Sequence, residues 1–412
     1  MSTPLVGGPI PIAAVSRETF EWTPRAPEMY SRAEVVRQTG AYEAAIAAQI
    51  SEWAPRLSGA DAADIEDAGR ALVDFDQHTR RALGTEPPAV GPIAAILLRT
   101  ESASSSQIEQ LTTSAKQLAL AEIDEGEKAN AVAVIGNVRA MEAALQLSHD
   151  ITADAILQMH AALLRHQPGL EHEAGRYRQE QVWIGAGDAG PRTAEFVAPH
   201  HDRIPGAVAD LVSFVRRQDI PVLVQVAVSH AQFETIHPFV DGNGRTGRAL
   251  AQSVLRNKGL VRSTAVPISA GLLVDTQRYF TALGSFRDGD AGPIIRRFAA
   301  ASRIAAVTGS QLVDDLAAQL DDSRARMKGM RSDAAAWRIL PALVGQPAVN
   351  TTYLMRALGV GEMAALRALD ALVEREVLIE STGRERNRVW QHRGIFEVLD
   401  AYAERIRRMT VR

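Results

Sequence analysis

The chain has 412 residues, 46% hydrophobic and 23% charged, with a formal net charge of −4 and no cysteine. Its length exceeds one ordinary core, so two or three domains are expected; its charge gives no global pull toward nucleic acid or anionic membrane, and disulfides and thiolate chemistry are excluded. No apolar run reaches about 18 residues and no basic stretch leads into an apolar core at the N-terminus, so no membrane span or secretory signal is expected and the cytoplasm is the default compartment.

Residues 1–30 carry Pro4, Pro9, Pro11, Pro24 and Pro27 without periodicity, which predicts an extended arm. Alanine-rich segments from Ala41 to Trp53 and from Ala60 to Leu83, with apolar residues three and four apart, predict helices. Thr85-Glu86-Pro87-Pro88 predicts a break. Ile93 to Leu98 then leads into a polar stretch where Ser105 and Glu109 stand four apart and share one helix face. A long helix is expected over Ala129–Leu147. Thr152 caps another that reaches Leu164, with His160 on its apolar face as a core histidine. The run Val182-Trp183-Ile184-Gly185, a Gly/Asp/Pro turn through Pro191, and Glu195-Phe196-Val197 predict a β-hairpin. His200 and His201 lack a second ligand pair at useful spacing, so no zinc site is expected.

The richest stretch is His237-Pro238-Phe239-Val240-Asp241-Gly242-Asn243-Gly244-Arg245-Thr246-Gly247-Arg248. An apolar helix over Val222–Ile236 leads into it, and Pro238 should end that helix. Gly242-Asn243-Gly244 can take left-handed angles, so successive N–H groups can curl into an anion-binding nest. The apolar run Ala249–Leu255 puts a helix N-terminus behind the nest, where the dipole favours phosphate. Arg245 and Arg248 share one face of its first turn. Asp241 is a hard oxygen ligand suited to Mg²⁺, and His237 is a candidate general base at the mouth of the loop. Together these groups point to phosphate chemistry.

Beyond the motif, Ile304–Met327 reads as a helical connector. Three helical stretches follow, Asp333–Leu343, Asn350–Leu358 and Gly361–Glu374, with Asn350 as a cap. A strand at Val377–Glu380, a turn and a second strand ending at Trp390 complete the module. Residues 321–412 hold 16 basic against 12 acidic side chains, a net of +4, and residues 1–320 carry 29 against 37, a net of −8. Arg384, Arg386 and Arg388 alternate on one face that could meet DNA phosphates. The third helical stretch, however, offers only Arg367 and Arg375 to read base edges. A protein-contact or homodimer role is therefore favoured over DNA binding.

The twelve-residue stretch resembles the Fic-domain motif HxFx(D/E)GNGRxxR at every defined position, and His230–Ile236 looks like the usual run into it. The resemblance implies a mainly α fold: a Fic-type helical bundle with a small β-hairpin flap, plus a C-terminal winged helix-turn-helix module. On this basis residues 1–90 form an N-terminal arm and helices, 91–312 the Fic domain with its inhibitory helix, and 313–412 a linker helix and the winged-helix-like domain. Gly242, Asn243, Gly244, Arg245, Thr246, Gly247 and Arg248 would bind the nucleotide, with Tyr279 and Phe280 beside the adenine. The family often has two tyrosines there, and a tryptophan common further on is missing. Val182, Trp183, Ile184 and Gly185 would belong to the flap that holds a target segment by strand pairing. Ser105-x-x-x-Glu109 resembles the inhibitory pattern (S/T)xxxE(G/N), departing at Gln110. Glutamine neither takes left-handed angles cheaply nor ends a helix readily, so this helix is expected to run on.

The activity so implied is transfer of AMP from ATP, with Mg²⁺, to a Ser, Thr or Tyr hydroxyl of a target protein, or of the chain itself, restrained by Glu109. His237 would take the hydroxyl proton, Asp241 would hold the metal, and Arg248 would hold the γ-phosphate. Three alternatives stay open. They are removal of AMP with Glu109 orienting water, transfer of another nucleotide, and a nucleotide-sensing regulator acting through the winged helix. An intact His237 argues against the last, because sensing needs no base.

Overall fold

The computed structural model describes residues 7–82, 90–126, 128–185, 187–382 and 388–410. The expected break at 85–88, and Arg384 and Arg386, lie outside them. The chain opens with β1 (Ser16–Trp22), α1 (Arg32–Gln38) and β2 (Gly40–Ile46). Helices α2 (Gly59–Ala82), α3 (Val90–Ile108), α4 (Ala115–Glu122), α5 (Ala129–Gln146) and α6 (Ala153–Leu164) follow. A small hairpin, β3 (Trp183–Ile184) and β4 (Phe196–Val197), precedes α7 (Ile204–Arg216), α8 (Val222–Ile236) and α9 (Asn243–Asn257). Then come α10 (Ile268–Leu273), α11 (Thr276–Arg287) and α12 (Gly292–Arg326). The C-terminal elements are α13 (Ala335–Gly345), β5 (Ala348–Val349), α14 (Thr351–Leu358), α15 (Glu362–Glu374), β6 (Ile379–Glu380), β7 (Trp390–Gln391) and α16 (Arg393–Thr410). Among the described residues no helix is long and apolar enough to cross a membrane.

Two compact units emerge from the contacts. The first comprises residues 1–67, 143–258 and 276–299, and the second 68–142, 259–275 and 300–412. In the first, α8 is buried from Leu223 to Ile236 because α7, α9 and α11 pack around it. A helix enclosed on all sides needs no solvent-facing side, so apolar residues lie all round its axis and its polar residues Gln225, Ser229, His230, Gln232, Glu234 and Thr235 are buried with them. Thr152 caps α6 as expected, its side chain accepting from Ala155 N–H.

The N-terminal segment departs from expectation. Residues 16–22 form a strand rather than a plain arm, and the segment beginning at Ala41, read as helical, is its antiparallel partner, with Phe20 opposite Tyr42 and Trp22 opposite Gly40. The alternation of buried Tyr42 and Ala44 with exposed Ala41 and Glu43 is a period of two. Alanine spacing masked it.

In the second unit α3 packs against α10 and α13, and α16 against α4 and α10. The Glu101 carboxylate is buried and accepts from Ser269 N–H and Oγ–H at 2.9 and 2.6 Å. The carboxamide of Asn137 donates to Ser102 O and Ser106 Oγ, tying α5 to α3. A three-stranded sheet in the order β5-β7-β6 accompanies α13, α14 and α15. Asn350 caps α14, as expected. Strand β5 was not anticipated, since two residues are too few to leave a periodic signal, and helix α16 was not anticipated either.

Helix α3 does not run on past Gln110. It ends at Ile108, with Gln110 left-handed at φ 65°. Leu111 N–H donates to Ser106 O and Gln110 N–H to Gln107 O, which closes the last turn as a Schellman motif. Those two bonds recover helix-end carbonyls and offset the roughly 1–2 kcal/mol cost of a left-handed non-glycine residue. Gln110→Gly should therefore stabilise the chain by about 1 kcal/mol, seen as a higher urea midpoint at unchanged slope. A lower midpoint would show that the glutamine side chain contributes more than its backbone costs.

Candidate functional site

The motif forms the turn between α8 and α9. His237 follows the last residue of α8 in a left-handed conformation, φ 49° and ψ 60°, with its N–H on Phe233 O at 2.9 Å. Arg178, fully buried, donates from Nε to the His237 carbonyl at 2.9 Å and from its own N–H to Pro238 O at 3.0 Å. The same guanidinium reaches Glu180 O at 2.7 Å and Pro199 O at 2.5 Å, at the two ends of the hairpin. Burial pushes its pKa down to about 10, so it remains a cation at neutral pH.

A closed polar ring shapes the rest of the turn. Phe239 N–H donates to Asn243 Oδ1 and Asn243 Nδ2 donates back to Phe239 O, each at 2.9 Å. The Phe239 ring lies flat on His160, 3.6 Å between centroids. His160 is the core histidine expected, but it also holds the loop. Gly175 N–H donates to its Nδ1, so the proton of the neutral ring sits on Nε2 and goes to Asp241 O, 3.1 Å away.

Only Gly242 of the expected nest is left-handed, at φ 77°, and α9 begins at Asn243, six residues before the predicted Ala249. A Cβ on Gly242 would stand 2.6 Å from Leu163 Cδ2. Asn243 and Gly244 are poor helix formers, and the side-chain bonds of Asn243 to Phe239 fix the helix start regardless. The donors at this corner are thus the first-turn N–H groups of a helix, which lack intrahelical acceptors. Gly247 lets α9 approach α8, since a Cβ there would be 2.9 Å from Phe233 Cδ1.

Arg245 is 3% exposed and donates from Nη2 to Asp241 Oδ2 at 2.7 Å. Its Nε and Nη1 are buried without a hydrogen-bond partner. Asp241 keeps 42% of its side chain exposed. Arg248, Thr246 and Asn243 are buried, and Gly244 is partly exposed. His237 Nδ1 lies 3.3 Å from the Glu234 carbonyl, which can only accept, so Nδ1 carries the proton and Nε2 is the basic nitrogen. The Glu234 carboxylate stands 3.8 Å from the same Nδ1. Arg287 donates to Glu234 O and lies over the Phe196 ring at 3.7 Å.

Other predicted residues fall as follows. Trp183 pairs with Val197 and Ile184 with Phe196, and Val182 O accepts from Ala198 N–H. Gly185 closes the strand end with φ 84°. Tyr279 is buried, its hydroxyl 2.7 Å from His230 Nε2, while Phe280 is 49% exposed beside it. Ser105 is buried in α3, and Glu109 is exposed just past its end. His200 and His201 meet Asp202, a third donor the sequence reading did not count, with ligand atoms within 4.8 Å of one another. Arg388 is engaged by Glu380 and Asp370 and covers Trp390. Arg375 donates to the carbonyls of Arg326 and Lys328. Both are occupied with the protein itself.

Sequence reasoning missed Arg178, Glu234 and Arg287 as members of the site. Glu234 alone carried a signal, standing three residues before His237 at the end of one helix.

A turn of this construction between two buried helices, beside a two-residue hairpin, belongs to the Fic-type helical fold. Residues 150–255 match the Fic/DOC family. It is 31% identical over 155 residues to protein adenylyltransferase Fic of Nematostella vectensis, covering 37% of this chain and 32% of that protein. It is likewise 31% identical over 157 residues to protein adenylyltransferase fic-1 of Caenorhabditis elegans, covering 37% and 27%. The matches thus span about a third or less of those relatives' lengths. A crystal structure of a Fic family protein from Desulfovibrio desulfuricans G20 shares the fold, with a TM-score of 0.50, 23% identity and coverage of 82% of this chain and 97% of that one.

Burial pushes the His160 pKa down to about 4 from an ordinary 6.5. The unfolded chain therefore binds more protons between these values, and stability present above about pH 6.5 is lost as pH falls toward 4. At pH 5 the loss assigned to His160 is about 2 kcal/mol. His160→Gln keeps a donor for Asp241 O and should flatten the stability curve in this window by that amount. His392, also lowered to about 4, stays in both proteins and cancels. Parallel curves for the two proteins would contradict the assignment.

Proposed function

We propose that the chain is a protein adenylyltransferase that moves AMP from ATP to a Ser, Thr or Tyr hydroxyl of a target protein. The observation that carries this reading is Arg245. A buried guanidinium with two open donor nitrogens, beside a helix N-terminus and an exposed carboxylate, suits phosphate oxygens. Asp241 fits Mg²⁺, which is usually held by one or two carboxylates plus substrate phosphates; bound there, the ion would neutralise charge on the α and β phosphates.

The target hydroxyl attacks the α-phosphorus. Its new oxygen–phosphorus bond forms as the bond to pyrophosphate breaks, and its proton passes to Nε2 of His237. Nδ1–H on Glu234 O keeps that nitrogen basic and aimed. Arg245 and the first-turn N–H groups of α9 stabilise charge on the α and β phosphates, and Arg248 holds the γ-phosphate. The hairpin β3–β4 holds the target segment by strand pairing, and Phe280 offers an exposed ring to the base.

Glu109 is the restraint in this reading, competing with the γ-phosphate for Arg248. The C-terminal module is read as a winged helix, supported by its sheet order and three helices. Its engaged Arg388 and Arg375 favour a protein partner, including a second copy of the chain, over DNA. Reversal of the transfer, or use of another nucleotide, would need the same groups.

Intact mass after incubation with ATP and Mg²⁺ tests the reading. Glu109→Gly should gain an AMP moiety at least 5–150-fold faster than wild type, the range that coupling energies of ~1–3 kcal/mol allow. Equal rates at saturating ATP would remove Glu109 from regulation. His237→Ala in the same background should lose roughly 10²–10⁴ in rate with ATP affinity nearly unchanged. Retention of more than about a tenth of the rate would rule out the general base.

A further inference from the structure

We infer that the N-terminal hairpin is a clamp that sets the position of the flap, with Gln38 and Arg192 as positioning residues for the hydroxyl-bearing segment. The inference rests on the proposed role of β3–β4 as the flap, and every contact in it lies within the first unit.

The flap has two paired residues on each strand. A hairpin of that size has no independent stability in water, so something else must fix it. The segment joining its strands is gripped from the α1 end. Gln38 is fully buried; its Nε2 donates to Thr193 Oγ1 at 2.8 Å and its Oε1 accepts from Arg192 N–H at 3.0 Å. Arg192 returns the contact, donating from Nη1 to the carbonyls of Arg37 and Thr39, both at 2.7 Å, and from Nε to Ala41 O at 3.1 Å. Carbonyls at the end of α1 lack intrahelical donors, and a cation suits the negative end of a helix. Trp22 adds a bond from Nε1 to Ala189 O at 2.9 Å and sets its ring edge-on to Trp183 at 5.2 Å.

The base of the flap is held as well. Arg25 pairs with Glu180 at 2.6 Å, and Glu18 takes two bonds from Arg203 at 2.5 and 2.6 Å. Phe20 stacks on His200 at 4.6 Å, which gives that histidine a packing role. Between the two grips Tyr42, Ala44 and Val197 form an apolar cluster with Phe20, Trp22 and Trp183 packed on it. Polar bonds at both ends and an apolar middle leave the flap little freedom. It meets a target already in place, and the ordering cost of binding is correspondingly reduced.

Arg192 is exposed, so Arg192→Ala tests the clamp without opening the core. Backbone hydrogen exchange of the full chain should rise at least tenfold at residues 182–197 and stay unchanged in α8 and α9. In the Glu109→Gly background, self-modification should fall at least fivefold while the Kd for ATP holds within twofold, and Arg192→Lys should recover part of the loss. Gln38→Ala should behave as Arg192→Ala does. Unchanged exchange at 182–197, faster exchange everywhere, or a loosened flap with undiminished transfer would each overturn the inference. If the Glu109→Gly parent transfers nothing, the functional reading fails by itself and exchange still decides the clamp.

Discussion

The site depends on one guanidinium withdrawn from water. Arg178 is fully buried, and the hydrogen bonds of its side chain end on three carbonyl oxygens, those of His237, Glu180 and Pro199. A buried cation is costly unless its donors are met, so each of these carbonyls is held firmly. One belongs to the residue read as the base and the other two flank the flap. His237 sits in a conformation that a histidine adopts only under constraint, and Arg178 grips that very peptide. The residue read as the base and the hairpin read as the flap therefore share a common anchor.

Arg245 makes an instructive contrast. It is as deeply buried, yet only Nη2 has a protein acceptor, while Nε and Nη1 have none. Buried donors left open call for an explanation, and in the proposed reading those of Arg245 face phosphate oxygens. Two buried arginines thus differ in kind: the side-chain donors of Arg178 end on three carbonyls, and those of Arg245 are met only in part. His160 belongs with the first kind, since burial keeps it neutral and both ring nitrogens are engaged.

Much of this site was legible in the sequence because its motif is local. The helix over Val222–Ile236, the end at Pro238, and the caps Thr152 and Asn350 all follow from neighbours within a few residues. The start of α9 was misplaced because Asn243 and Gly244 disfavour helix, and only the backbone of Phe239 overrules them. Residues 16–22 and the segment from Ala41 were misread because alanine spacing hid a period of two, and each strand is fixed by pairing with the other, as Trp22 with Gly40. Arg178 left no trace at all. Its acceptors are backbone carbonyls, which every residue possesses, so no side-chain pattern announces them.

The packing of α4 has a consequence for how the chain is made. Ala119 and Ile123 complete their cluster with Ala348, Val389 and Phe396, and Gln346 bonds Ala119 O across 227 residues of sequence. Translation at ~5–20 residues per second puts roughly ten to forty-five seconds between those two ends of the contact. Helix α3 waits similarly for α13. Synthesis therefore delivers His237 and Arg245 before it delivers α10 and α13, which pack on the helix that leads to Glu109.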